Sequence, residues 1–225
     1  MVKLEFFGHS FFRITGGKNC LLVDPFLPTN SKRNYLLTSP KQAKDFKDVD
    51  SIFISHEHAE HFDKQAVEAI ALRNNSIVVS HETVLNQLDI PINLKKSVES
   101  NQEFILRNVK VKTITAHHPR TFSSMGFMFD FNGKTVYHAG DTDLTDIFTQ
   151  IKPDVALLPI GGQITMDVID AVRATKTMKP KFVIPMHYNT FEEIKQNPLE
   201  LKERIDKSIL NTKTIILEPG QKFEF

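Results

Sequence analysis

The chain has 225 residues, 40% of them hydrophobic, and its 28 Lys and Arg against 27 Asp and Glu give a formal net charge of +1. That length and apolar fraction suit a single domain spanning 1–225, and the charge balance gives no field to steer nucleic acid or an anionic membrane surface. A lone cysteine excludes an internal disulfide and fits a reducing, cytoplasmic setting; no window reaches the roughly 20 apolar residues of a membrane span, and charges interrupt the N-terminal apolar stretch, which makes it a poor signal peptide.

Short β-type runs open the chain at residues 4–7, 11–14 and 20–23, with Gly16-Gly17 turning between the last two. Cys20 falls in the third run and reads as a small core residue. Asp24-Pro25 stops that run, residues 29–38 form a polar irregular loop, and residues 41–47 read as a short helix. A β-type run over 51–55 leads into His56-Glu57-His58-Ala59-Glu60-His61. Residues 63–72 then take helical spacing through Ala66, Val67, Ala69, Ile70 and Leu72. Asp63 starts that helix, residues 77–79 form a buried-type strand, and 82–88 a short helix. Residues 103–137 alternate in the β manner, with Asn132-Gly133 as a tight hairpin. The remainder alternates strand and helix: strands at 155–158, 182–185 and 214–217, helices at 166–177, from about 191, and at 199–209. No Gly/Ser- or Pro-rich linker divides the chain, so one mixed α/β layered domain is the simplest architecture.

The chemistry concentrates after the fourth β-type run. Imidazole and carboxylate are the usual ligands of zinc and similar divalent ions. In an extended segment His56, His58 and Glu60 point one way and His61 the other; four ligands facing two directions suit two neighbouring metals better than one tetrahedral ion. Further histidines follow other apolar runs: His117 and His118 after 111–115, His138 with Asp141 after 134–137, and His187-Tyr188 after 182–186. Loops beyond strand ends gather into sites in layered α/β folds. Taken singly, each of these residues also reads as an ordinary capping or hydrogen-bonded group. His81 and Glu57 read as surface residues.

Together these residues resemble the metallo-β-lactamase superfamily, marked by His-x-His-x-Asp-His and then a distant His, Asp and His. More narrowly, Gly8-His9-Ser10, Asp24-Pro25-Phe26, His138-Ala139-Gly140-Asp141-Thr142, Leu158-Pro159-Ile160-Gly161-Gly162 and Pro185-Met186-His187-Tyr188 resemble its metal-dependent hydrolase branch related to ascorbate-6-phosphate lactonases. The resemblance implies a four-layer αββα sandwich with metals at one edge. His56, His58 and a histidine of the 117–118 pair, His118 by preference, would bind one metal; Glu60, His61 and His187 the second; Asp141 both. Asp24 would support a ligand histidine. Glu60 stands where the family has aspartate, and its added methylene moves the carboxylate by roughly 1.5 Å, against a metal-distance tolerance of about 0.2 Å.

The expected function is hydrolysis of an ester, lactone, amide or phosphoester in a small-molecule substrate, by a hydroxide held between two divalent ions. Zinc is expected, while manganese, iron and nickel suit the same donors. Asp141 would orient the hydroxide. His138 and Tyr188 either donate hydrogen bonds to substrate or support the ligands, and His9 either enters the site or is structural. A metal-dependent nuclease and a non-catalytic metal-binding module with a degraded second site are the alternatives; the absence of a basic tail or an aromatic-basic stripe argues against nucleic acid. Arg33 and Arg120 could read an anionic group but suit a solvated surface better. The sequence is compatible with a homo-oligomer.

Overall fold

A computed structural model describes residues 1–28 and 34–225, arranged as two seven-stranded sheets with helices outside them. Strands β1 (Val2–Phe6), β2 (Phe12–Gly16), β3 (Asn19–Val23), β4 (Ser51–Phe53), β5 (Ile77–Ser80) and β6 (Lys95–Ser97) build the first sheet in order. Strands β7 (Glu103–Leu106), β8 (Val109–Thr115), β9 (Met125–Phe131), β10 (Lys134–His138), β11 (Val155–Pro159), β12 (Phe182–Met186) and β13 (Lys213–Thr214) build the second. The last strand, β14 (Lys222–Glu224), returns to the first sheet beside β1. Strands β3 to β6 run parallel, as do β10 to β13; the other pairings are antiparallel.

The side-chain alternation of each strand explains the layers. On β3 and β4, Leu21, Val23 and Phe53 face the second sheet, where Phe53 meets Phe127 and Phe129 at ring-centroid distances of 5.2 and 4.8 Å. Cys20, Leu22, Ile52 and Ile54 face outward onto α1 (Lys64–Asn74) and α2 (Glu82–Leu85), through Ala66, Val67, Ile70 and Val84. On the far side α3 (Val168–Met178) and α4 (Pro198–Asp206) cover the second sheet with Ala171, Val172, Leu201 and Ile205. The layers are therefore αββα. Burying each such side chain contributes about 1.5–3 kcal/mol. Cys20 accepts a hydrogen bond from Arg13 Nε at 3.0 Å, and burial pushes its thiol above the ordinary range, so it is a core residue rather than a nucleophile.

The turns follow local chemistry. Asn132 and Gly133 both take positive φ, 55° and 89°, as a two-residue hairpin of this twist needs. Asp63 caps α1 through Ala66 N–H, and Asp167 caps α3 through Asp170 N–H. Three expected elements differ. Residues 41–47 hold only a single 3-10 turn, Ala43–Asp45, because the backbone turns extended at Phe46. The helix expected from about 191 is likewise a 3-10 turn, Glu192–Ile194: the following Asn197-Pro198 pair disfavours helix before the proline and starts α4 afresh. The final run pairs only over Lys213–Thr214, while β6 and β14 are strands the hydrophobic pattern does not announce. The expected loop at 29–38 is irregular over 34–38; residues 29–33, Arg33 among them, lie outside the described residues. Among the described residues, no helix is long and apolar enough to cross a membrane.

Candidate metal centre

Six strand exits converge at one edge of the sandwich. The turn after β1 carries His9, β3 ends on Asp24, β4 runs out to His56, His58 and His61, β8 leads to His118, β10 to Asp141 and β12 to His187. His9, Asp24 and His187 take left-handed backbone, with φ of 53°, 49° and 54°. Such a conformation costs a non-glycine residue about 1 kcal/mol or more; it bends the chain sharply at the strand exit. Two glycines make room. A Cβ at Gly161 would stand 2.4 Å from the His187 carbonyl oxygen, and one at Gly140 would stand 2.8 Å from the Met125 carbonyl oxygen. The Gly-Gly and Ala-Gly-Asp motifs thus reflect close backbone approach.

The segment after β4 is not extended, which corrects the alternating geometry expected for it. His61 N–H and Phe62 N–H both donate to the His58 carbonyl, at 2.9 and 2.8 Å, so the chain makes a turn. That turn returns His61 to the side of His56, with ring centroids 4.2 Å apart. Glu60, between them, stays half-buried and belongs to none of the groups of potential ligands among the described residues. Glu57 is part-buried rather than a surface residue: its Oε1 accepts from Phe122 N–H at 2.9 Å.

The side chains form two lobes around Asp141. In the first, His58 Nδ1 lies 3.1 Å from His56 Nε2 and 3.2 Å from His118 Nε2. The outward nitrogens are fastened: His58 Nε2 by the Arg120 carbonyl (3.3 Å), His118 Nδ1 by the Ile164 carbonyl (2.9 Å), His56 Nδ1 by Ser55 Oγ (2.9 Å). With their N–H groups spent outward, three lone pairs face one point. In the second lobe, Asp141 Oδ2 lies 2.9 Å from His187 Nε2 and 3.2 Å from His61 Nε2. The same oxygen is 3.9 Å from His56 Nε2 and 3.7 Å from His118 Nε2, so it stands between the lobes. Asp24 anchors the second lobe, accepting from Ser55 N–H (2.7 Å), Ser55 Oγ–H (2.8 Å) and His61 Nδ1–H (2.8 Å). His9 joins there: one nitrogen each of His9, His61 and His187 lie within 4.8 Å of one another.

The electrostatics call for a cation. Burial disfavours the charged form of Asp141, yet His187 and His61 hold its carboxyl well below the usual carboxylate range. Burial alone would depress His61; Asp141 and Asp24 override it and push it up to about 10. Burial and neighbouring imidazolium charge keep His9 and His56 well below the ordinary imidazole range, and burial lowers His118. Three buried atoms around this point, His9 Nε2, His61 Nε2 and Asp141 Oδ1, have no hydrogen-bond partner among the described residues. Each unsatisfied group costs about 1–3 kcal/mol, and a nitrogen- and carboxylate-seeking divalent ion relieves such groups. The residues fit the metals expected of them.

The other candidates sort as follows. His118, not His117, enters the centre; His117 is exposed and pairs with Asp143 at 3.0 Å. His138 is buried with both nitrogens committed, Nε2–H to the Ser10 carbonyl (2.8 Å) and Nδ1 to Gly140 N–H (3.2 Å). Of the two roles expected for it, these bonds fit the supporting one: it braces the first and second sheets. Tyr188 is buried in the central core, and burial, with Glu218 adding to it, pushes its phenol up to about 12. His81 caps α2 and pairs with Glu99 at 3.3 Å. Arg120 is exposed, and it is its carbonyl that meets the centre.

Comparison with known proteins shows the family and the fold. The family described as Beta-lactamase superfamily domain matches residues 3–187. The UPF0173 metal-dependent hydrolase of Pyrococcus abyssi is 35% identical over 100% of both chains, and that of Pyrococcus furiosus 34% identical, again over 100% of both. Among solved structures, a metallo hydrolase from the hyperthermophilic archaeon Ignicoccus hospitalis superposes with a TM-score of 0.83 at 33% identity, covering 100% of this chain and 99% of that one.

Proposed function

Because the chain belongs to the β-lactamase superfamily and is a metal-dependent hydrolase, we propose that it works as one domain that hydrolyses an ester, lactone, amide or phosphoester of a small molecule at a dinuclear His/carboxylate centre. The observation that carries this reading is the convergence of His9, His56, His58, His61, His118 and His187 on Asp141, with His9 Nε2, His61 Nε2 and Asp141 Oδ1 buried and unpartnered among the described residues. His56, His58 and His118 would hold one ion, zinc by donor type; His61 and His187 would hold the second, with Asp141 shared and Glu60 at the family's carboxylate position. When bound, such ions supply Lewis acidity and bring a water's pKa to about 7. Asp141, kept ionised, would orient the attacking water by accepting a hydrogen bond from it at Oδ1. Asp24 fixes the His61 ring, and the Arg120 and Ile164 carbonyls fix His58 and His118, so the donors need no reorganisation during reaction.

Substrate enters from the side of His58. Phe122, 87% exposed, and Ile164 lie on the two loops whose backbones touch His58 and His118. Two apolar side chains at the entrance suit a small organic substrate, and a net charge of +1 gives no grip on a nucleic-acid strand. The single buried cysteine suits a cytoplasmic setting. The test is elemental analysis of purified protein with an ester, lactone and phosphodiester screen: turnover that depends on metal and is abolished by His58→Ala is expected, and a metal-replete protein inactive across the panel would overturn the reading.

A further inference from the structure

We propose that His9 is a ligand of the second ion, taking the place that the family pattern gives to the carboxylate after the second histidine, and that Glu60 does not bind metal. This rests on the dinuclear reading and goes beyond it in the donor set.

Four observations carry it. His9 is 1% exposed, in the tight turn that follows β1, where Phe11 N–H donates to the Gly8 carbonyl. Its Nδ1 lies 2.9 Å from Thr190 Oγ1, which fixes the ring and aims Nε2 inward; that Nε2 has no partner among the described residues. The ring centroids of His61 and His187 lie 4.9 and 4.3 Å away, and His187 N–H donates to the His9 carbonyl at 2.8 Å, so backbone and ring are locked to the second lobe together. Glu60 by contrast lies on the turn between His58 and His61, outside every donor group among the described residues. Its longer side chain could not take an aspartate's place without moving the backbone (one methylene is roughly 1.5 Å). An imidazole aimed from the opposite strand exit removes that mismatch. The second ion then has His9, His61, His187 and Asp141 around it: three nitrogens and one oxygen, a tetrahedral zinc-type set.

The test compares the parent, His9→Asn and Glu60→Gln, each stripped of metal and titrated with Zn2+ alone, with ion content measured after gel filtration. Asparagine is chosen because position 9 has left-handed backbone, which Asn tolerates. Two ions per parent chain are expected, with second-ion affinity weakened at least about tenfold in His9→Asn and unchanged in Glu60→Gln. A His9→Asn protein that binds both ions like the parent, or a Glu60→Gln protein that loses the second, overturns the assignment while leaving the dinuclear reading standing; one ion per parent chain overturns both. Proton NMR of the Co2+-loaded parent needs no folded variant: the His9 Nδ1–H should give a paramagnetically shifted resonance, and its absence from the shifted set would overturn the assignment. Thr190→Val, which keeps His9 but removes its hydrogen bond, should weaken the second ion by less than His9→Asn.

Discussion

The two lobes of the centre are fastened differently. His58 and His118 spend their outward N–H groups on backbone carbonyls, at 3.3 and 2.9 Å, and His58 is only half-buried. In the other lobe His61 is held by the Asp24 carboxylate at 2.8 Å, and His9, His61 and His187 are all buried. A carbonyl partner fixes a neutral imidazole without much changing its basicity; a carboxylate partner makes it a stronger donor. The open lobe is therefore the one that loops, and through them substrate, can adjust. The buried lobe is tuned by charge and closed to solvent.

Asp141 belongs to both lobes, and its loss has the largest expected effect. Asp141→Asn should lower kcat/KM by about 10²–10³-fold or more and reduce ion content in both lobes; elemental analysis beside steady-state kinetics checks it. Retention of either ion at parental affinity would mean that the carboxylate serves one lobe only. Asp24→Asn separates the lobes more sharply. An amide there can still accept from Ser55 N–H, but its NH2 opposes the His61 Nδ1–H, so the ring turns its N–H toward the ion. Affinity at the buried lobe should fall about 10–100-fold, with a smaller loss at the three-histidine lobe, which Asp24 reaches only through Ser55 Oγ and His56 Nδ1, as competitive chelator titration would read. An equal loss at both lobes would break the distinction.

His56, His58 and His61 were legible because they are close in sequence at the end of an apolar run; His118, Asp141 and His187 came with the family resemblance, and His9 was left open between a site role and a structural one. His9 is 181 positions from Thr190 and reads locally as one histidine in a turn; only the strand order, with β1 in one sheet and β12 in the other, brings it to His187. The alternation expected through His56, His58 and Glu60 presumes extended backbone, whereas two hydrogen bonds to the His58 carbonyl wind it. His138 looked like a site residue because it follows a strand beside Asp141; its buried acceptor, the Ser10 carbonyl, lies 128 positions away. The residue pattern by itself reached only one mixed α/β layered domain, and the αββα order came from the family resemblance; in the structure β3, β4, β11 and β12 are apolar on both faces and are covered on both sides.

Glu57 tests whether the open lobe is held by its loop. Its carboxylate tethers Phe122 N–H, two residues from the carbonyl that holds His58. Glu57→Ala removes one solvent-exposed hydrogen bond, worth about 0.5–1.5 kcal/mol, so KM should rise about two- to tenfold with little change in kcat and none in second-ion affinity. Faster amide exchange at Phe122 would show the loop released; a change confined to kcat would point to the ligands instead.

The smallest effect is expected at Asp154, at the opposite end of the same strands. Its carboxylate accepts from Thr135 N–H (2.8 Å) and pairs with Lys181 (2.8 Å), stapling β10 to β12 where they begin. Burial raises this carboxyl, but Lys181 and Thr135 outweigh it and the net shift is downward. A depressed carboxylate stabilises above its unfolded pKa, near 3.9, and that contribution is lost as pH falls through the lower folded value. Asp154→Asn should cost about 1 kcal/mol, a fall in Tm of about 2–4 °C at this chain length, with the deficit narrowing in acid. Ion content and kcat/KM at 25 °C should stay parental in both lobes. A loss of metal in this variant would mean that the strands transmit strain from one end of the sheet to the other, and the contrast between the lobes would then belong to the whole sandwich rather than to its edge.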